Sequence, residues 1–229
     1  MIPIVSLSHL IVLPFMMFIS WRLYLSFKET KEKNVGYFFL AFLMMTIMEV
    51  ILTTPGLVFK NPLEISTAFS FYPFFMLLSL TSISAIPFSI LKMKKTEIIF
   101  IVLMFLTAII TSSINLNNVK PAVIYYNAPF VYWEDTRGET MNIFLGALGA
   151  VILIFITFFF LINGLKNQER YVKIRSFLIS GGMAIFLLAA VINFVLGAIF
   201  IKQYVTTLIS TFLLIAGSIS VFVGVRYKK

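Results

Sequence analysis

Seven hydrophobic stretches follow one another along this chain, and the basic residues between them fall alternately on one side and then largely spare the other. The stretches are Ile2–Trp21, Tyr37–Phe59, Ile65–Leu91, Ile98–Ile114, Met141–Leu165, Phe177–Ile201 and Tyr204–Val225. A helix needs about 20 apolar residues to cross the roughly 30 Å hydrocarbon layer of a bilayer. Cytoplasmic flanks of such helices collect Lys and Arg. Together these facts predict an all-α polytopic membrane protein. The expected form is a bundle of seven transmembrane helices, with the N-terminus outside and the C-terminus cytoplasmic.

The alternation holds loop by loop. Arg22, Lys28, Lys31 and Lys33 follow the first stretch, and Lys92, Lys94 and Lys95 separate the third from the fourth. Lys166, Arg170, Lys173 and Arg175 separate the fifth from the sixth, and Arg226, Lys228 and Lys229 follow the last. That side carries fourteen basic residues against four acidic ones, whereas the other side carries four of each. A wrong number of spans would break this pattern.

Composition agrees. Charged residues make up 12% of the chain, against about 25% in an average soluble domain, and mean hydropathy is +1.02. The spans use most of the 229 residues, so residues 1–229 are read as a single domain with no soluble domain attached. The net charge of +9 is spread over short loops and a tail. Anchoring to anionic lipid headgroups accounts for it, and no nucleic-acid partner is expected. There is no cysteine, hence no disulfide and no thiolate ligand or nucleophile. The first stretch lacks a basic leader and has Arg22 at its far end, the reverse of a cleaved signal peptide, so it counts as a span.

Pro14, Pro55, Pro73 and Pro87 lie within the stretches, and the third, with two prolines, is expected to kink or tilt. Small residues gather in the last three: Gly146, Gly149 and Ala150, then Gly181 and Gly182, Ala189 and Ala190, and Ser220 and Gly224. They permit close helix approach, within one bundle or between copies in an oligomer. The long outer loop, residues 115–140, contains Tyr125, Tyr126, Phe130, Tyr132 and Trp133. These aromatics suit either a lid over the bundle, with Tyr126, Tyr132 and Trp133 as its candidates, or the aromatic belt at the membrane surface.

Polar groups inside hydrocarbon are costly and mark the first places to look for function. Counting from the span ends, His9, Glu49, Ser70, Tyr72, Asn193 and Ser210 share one slab in the outer half, along with Thr206 and Thr207. If they face inward they line a polar cavity, and they are the candidate ligand-binding residues. Glu49 is the sharpest, because an acid at this depth must be paired, protonated or hydrated. A packing role for Glu49, hydration for His9 and an interhelical hydrogen bond for Asn193 are the competing readings.

No catalytic motif is present, and neither a metal site nor a cofactor is expected. A lone histidine without cysteine cannot form a multi-histidine centre. The last span has no lysine in its middle to carry a retinal Schiff base, and no Gly-rich phosphate loop occurs.

Arg170-Tyr171 and Arg175 lead into a small-residue span containing Asn193, and the final span ends Gly224-Val225-Arg226-Tyr227. With the hydropathy of the whole chain, these features resemble the seven-helix N-terminal sensor region of prokaryotic histidine kinases and cyclic-nucleotide signalling enzymes. The resemblance implies a sensor or receptor of the cell membrane. Here it would be freestanding, binding an unknown small ligand and signalling through a separate effector on the cytoplasmic face. Two other classes stay open. One is a small-solute transporter or channel, continued inward through Ser79, Thr81, Ser84 and Asn163; the other is a non-catalytic subunit of a membrane complex.

Overall fold

A computed structural model of the chain describes residues 2–127, 129–134, 139–193 and 203–227. Its helices are α1 (Ile4–Thr30), α2 (Lys33–Thr53), α3 (Pro62–Ser70), α4 (Tyr72–Ile90), α5 (Lys94–Asn117), α6 (Glu139–Lys166), α7 (Arg170–Val191) and α8 (Gln203–Arg226). With α3 and α4 taken as one interrupted span, seven helical stretches among the described residues are long and apolar enough to cross a membrane.

The helices outlast the hydrophobic stretches at several ends. Helix α1 continues past Trp21 to Thr30, α2 starts at Lys33, and α7 starts at Arg170. The 27 residues of α1 would span roughly 40 Å at about 1.5 Å per residue, so its polar last turns reach beyond the hydrocarbon or the helix tilts. The other end of α2 is shorter than the hydropathy suggests. It stops at Thr53, ahead of Pro55 and Gly56, and not at Phe59. The sixth stretch was expected to run to Ile201, and that end lies outside the described residues.

The third stretch begins at Pro62, where the Asn61 side chain caps α3 by accepting a hydrogen bond from the Leu63 N–H. It then breaks at Phe71. Pro73 has no N–H to donate, and its ring crowds the carbonyl four residues earlier, so the helix restarts there. Helix α4 nevertheless continues through Pro87.

Six helices close into a ring. Helix α1 packs on α2, α2 on α4, α4 on α6, α6 on α7, α7 on α8, and α8 back on α1. Helix α5 lies outside the ring against α4 and α3. Only 28% of its most apolar stretch is buried, against 56% for the α3–α4 span, and Ile98, Ile99, Val102, Leu103 and Ile110 are exposed on it. Such a continuous apolar surface suits contact with acyl chains.

Close backbone approach ties α7 to α8. A Cβ at Gly182 would lie 2.7 Å from the Gly217 carbonyl oxygen, and one at Gly224 would lie 3.1 Å from that of Arg175. Ser220 donates to the Leu178 carbonyl across the same seam at 2.8 Å. These small residues therefore serve packing within the bundle.

The long loop contains a β-hairpin. Strand β2 (Val123–Asn127) pairs antiparallel with β3 (Phe130–Glu134), and β1 (Ile2–Pro3) adds to β3 in parallel. The chain is predominantly helical, as expected, and one end of the bundle carries in addition a small three-stranded sheet. The opposite end carries Lys28, Lys31, Lys94, Lys95, Lys166, Arg170 and Arg226.

Candidate functional site: a cavity beneath the hairpin

The sequence candidates separate into two places. His9 on α1 and Glu49 on α2 meet directly, with Nδ1 and Oε2 sharing a hydrogen bond of 2.8 Å. The Glu49 side chain is fully buried and that of His9 is 13% exposed. The second carboxyl oxygen, Oε1, is buried and has no hydrogen-bond partner among the described residues. Their contact puts both residues at one depth, as counting from the span ends expects. It also makes them an interhelical clasp between α1 and α2.

The second place is a cavity of about 120 Å³ in the hairpin half of the ring. Five of the six ring helices contribute to it: α2, α4, α6, α7 and α8. Tyr72, Asn193 and Ser210 are in its wall, whereas His9, Glu49 and Ser70 are not. The lining is chiefly apolar, with Met45, Met48, Met76, Leu80, Leu145 and Phe186 prominent. This differs from the expectation of a polar cavity. The polar groups that do reach it have partners of their own in several cases. Tyr72 Oη lies 3.2 Å from Met76 Sδ, and Ser210 donates to the Thr206 carbonyl at 2.7 Å. Ser70 returns its hydroxyl to the Ser66 carbonyl at 2.9 Å, within α3.

Room for the cavity comes from small residues. Gly146 and Gly149 of α6 and Ala189 and Ala190 of α7 all line it. A Cβ at Gly149 would meet only Leu80 Cδ1, at 3.6 Å. On α4, Tyr72, Met76, Ser79 and Ile83 recur at spacings of three and four and line the cavity as one stripe. Ser79 had been considered only as a step on an inward transport path. The stripe spacing from Tyr72 was the available signal that it belongs here.

Above the cavity, Trp133 of β3 inserts into a layer formed by Val5, Met48, Leu52, Ile65, Phe69 and Ala122. Tyr72 and Met76 pack against this layer from the cavity side. Trp133 is 3% exposed, and Tyr126 is 68% exposed. Tyr132 stacks on Tyr125 with ring centroids 5.1 Å apart. Of the three lid candidates, Trp133 is therefore buried in this layer, Tyr132 packs against it partly buried, and Tyr126 is exposed. Gly56 makes that seat possible. Its φ of +71° suits glycine, and a Cβ there would come within 2.5 Å of the Trp133 ring.

In the basic half of the ring, bulky described side chains pack together. Phe38, Phe42, Ile86, Ile156, Ile179 and Met183 are buried together, and the Phe38 and Phe160 rings lie 6.5 Å apart. Three of the four polar groups proposed for an inward path have described partners, and the fourth, Ser79, lines the cavity. Thr81 donates to the Leu77 carbonyl at 2.6 Å, Ser84 to that of Leu80, and Asn163 bridges to Ser176 at 3.0 Å.

The sequence reading also missed a charged cluster at the basic end. Glu97 of α5 is buried, receives a hydrogen bond from Tyr37 Oη, and lies 2.7 Å from Lys33 Nζ of α2. It fastens the outlying α5 to the ring. The chain matches no described protein family, and no curated protein is detectably similar to it.

Proposed function

We propose that this protein is a receptor-like sensor module of the cell membrane, binding a small ligand in the cavity beneath the hairpin. The hairpin end and N-terminus face outward, and the C-terminus is cytoplasmic. The concentration of Lys and Arg at the opposite end supports that orientation. The observation that carries the reading is the cavity itself: five helices converge on a concave, largely apolar space closed on its basic side by packed side chains. Concave apolar sites with a few polar groups are the usual form of small-molecule sites. The resemblance to the sensor regions of histidine kinases supports the same class.

A ligand transmits a signal only if it binds two helix packings with different affinity. The walls of the cavity belong to helices that also reach the basic end, so a change in their packing is offered to a partner at that face. The locally satisfied hydroxyls of Thr81 and Ser84 weigh against a polar through-path.

Cross-linking in native membranes, mild-detergent capture and mass spectrometry test this, alongside solute flux in liposomes. The sensor reading expects a reproducible signalling partner attached through the basic face and no flux. Flux across the liposome, or capture without any signalling partner, contradicts it.

A further inference from the structure

We infer that the cavity takes a neutral molecule with a ring-sized apolar body and one hydrogen-bonding group, and that Ser79 Oγ receives that group. This rests on the cavity being the binding site. Ser79 is 3% exposed, lines the cavity, and its Oγ is buried without a hydrogen-bond partner among the described residues. Its neighbours on α4 behave differently. Thr81, Ser82 and Ser84 each return the hydroxyl proton to the carbonyl four residues earlier. A hydroxyl left unpaired in an apolar wall is unfavourable, and a ligand that supplies a partner recovers the loss.

Size and charge narrow the class further. A cavity of about 150 Å³ lined by apolar side chains accepts benzene, and the present one measures about 120 Å³. Met45, Met48 and Met76 in its wall are unbranched and adapt to a guest of slightly different shape. Among the described residues no charged side chain lines it, and Glu49 and His9 engage each other elsewhere. An ionised ligand would enter unpaired, which apolar surroundings strongly disfavour. The fitting chemistry is a small phenol, alcohol or ketone, not an acid or an amine.

The test uses the full chain in nanodiscs, with empty nanodiscs as the reference for partitioning into lipid. Binding of 4-fluorophenol, 4-fluorotoluene and 4-fluorobenzoate is followed by ligand-observed fluorine NMR. The wild-type protein should bind the phenol saturably and about three- to tenfold more tightly than the toluene, with no saturable binding of the benzoate. Ser79→Ala should remove the preference for the phenol while leaving the toluene unchanged. Gly149→Ala, whose added methyl meets only Leu80, should weaken both neutral probes without loss of fold.

Saturable but equal binding of the two neutral probes, unaffected by Ser79→Ala and weakened by Gly149→Ala, overturns the role of Ser79 and leaves the cavity as the site. Benzoate binding as tight as the phenol overturns the neutral class. If no probe binds the wild-type protein saturably, both the ligand class and the cavity reading fail. The phenol–toluene comparison on the wild-type protein reads the hydroxyl's contribution even where a variant does not fold.

Discussion

A buried carboxyl group with one oxygen bonded and the other bare is a demanding thing to place between two helices. Glu49 achieves it through His9, and the buried Oε1 has no hydrogen-bond partner among the described residues. His9→Ala would leave the acid without its partner, which costs about 1–3 kcal/mol for a buried polar group. Glu49→Gln keeps the shape and a hydrogen-bonding amide, so it should be milder. Replacing both residues by apolar ones of similar volume should recover most of the loss, as for other buried pairs. Thermal unfolding of the single and double variants in detergent measures all three. Fully additive losses, or no loss from His9→Ala, would mean that the contact carries no weight. The depth of both residues was legible in the sequence, but their pairing was not. Depth follows from counting residues, whereas facing depends on rotation about each helix axis. In spans that are apolar nearly all round, periodicity gives little indication of that rotation.

Among the elements, α7 and α8 make the sharpest demand on residue size. Gly181 and Gly182 are adjacent in sequence, yet a Cβ at Gly181 meets nothing within 4 Å, while one at Gly182 strikes Val221 and the Gly217 carbonyl. Gly181→Ala should be neutral or stabilising by up to about 1 kcal/mol, from helix propensity alone. Gly182→Ala should destabilise by about 1–3 kcal/mol through overpacking. Parallel unfolding curves decide it, and similar midpoints for the two variants would refute the close approach. The small-residue clusters were visible beforehand, but their two uses were not. Gly182 brings helices together, whereas Gly149 leaves space for a cavity. The break in the third span was anticipated in kind from its prolines, and its position at Phe71 follows from Pro73. The hairpin was overlooked although its signal was present. Val123–Asn127 and Phe130–Glu134 are rich in β-branched and aromatic residues on either side of a short turn containing Pro129. Their length within a loop between long spans drew attention to the aromatics as a lid or belt, and away from strand pairing.

At the scale of the whole molecule, the number of spans was the most legible property, because hydrocarbon thickness imposes a minimum length that few other constraints imitate. The closed ring of six with α5 outside was not legible. Ring order depends on which faces meet, and exposure on α5 is distinguished only once its neighbours are in place. The cavity has the same origin: glycine and alanine of α6 and α7 meet bulkier residues of the other helices in its wall. Under the proposed receptor function, sidedness joins these features, since the cavity would lie beneath the outer face and the partner surface on the inner one. The chain has no cysteine, so single cysteines introduced at Tyr126, Lys95 and Lys166 report sidedness without background. All three positions are exposed. With a membrane-impermeant maleimide on intact cells, Tyr126→Cys should label at once, while Lys95→Cys and Lys166→Cys should label only after permeabilisation. Labelling in the reverse order, or of all three from the same side, would contradict a seven-span receptor with its hairpin and cavity turned outward.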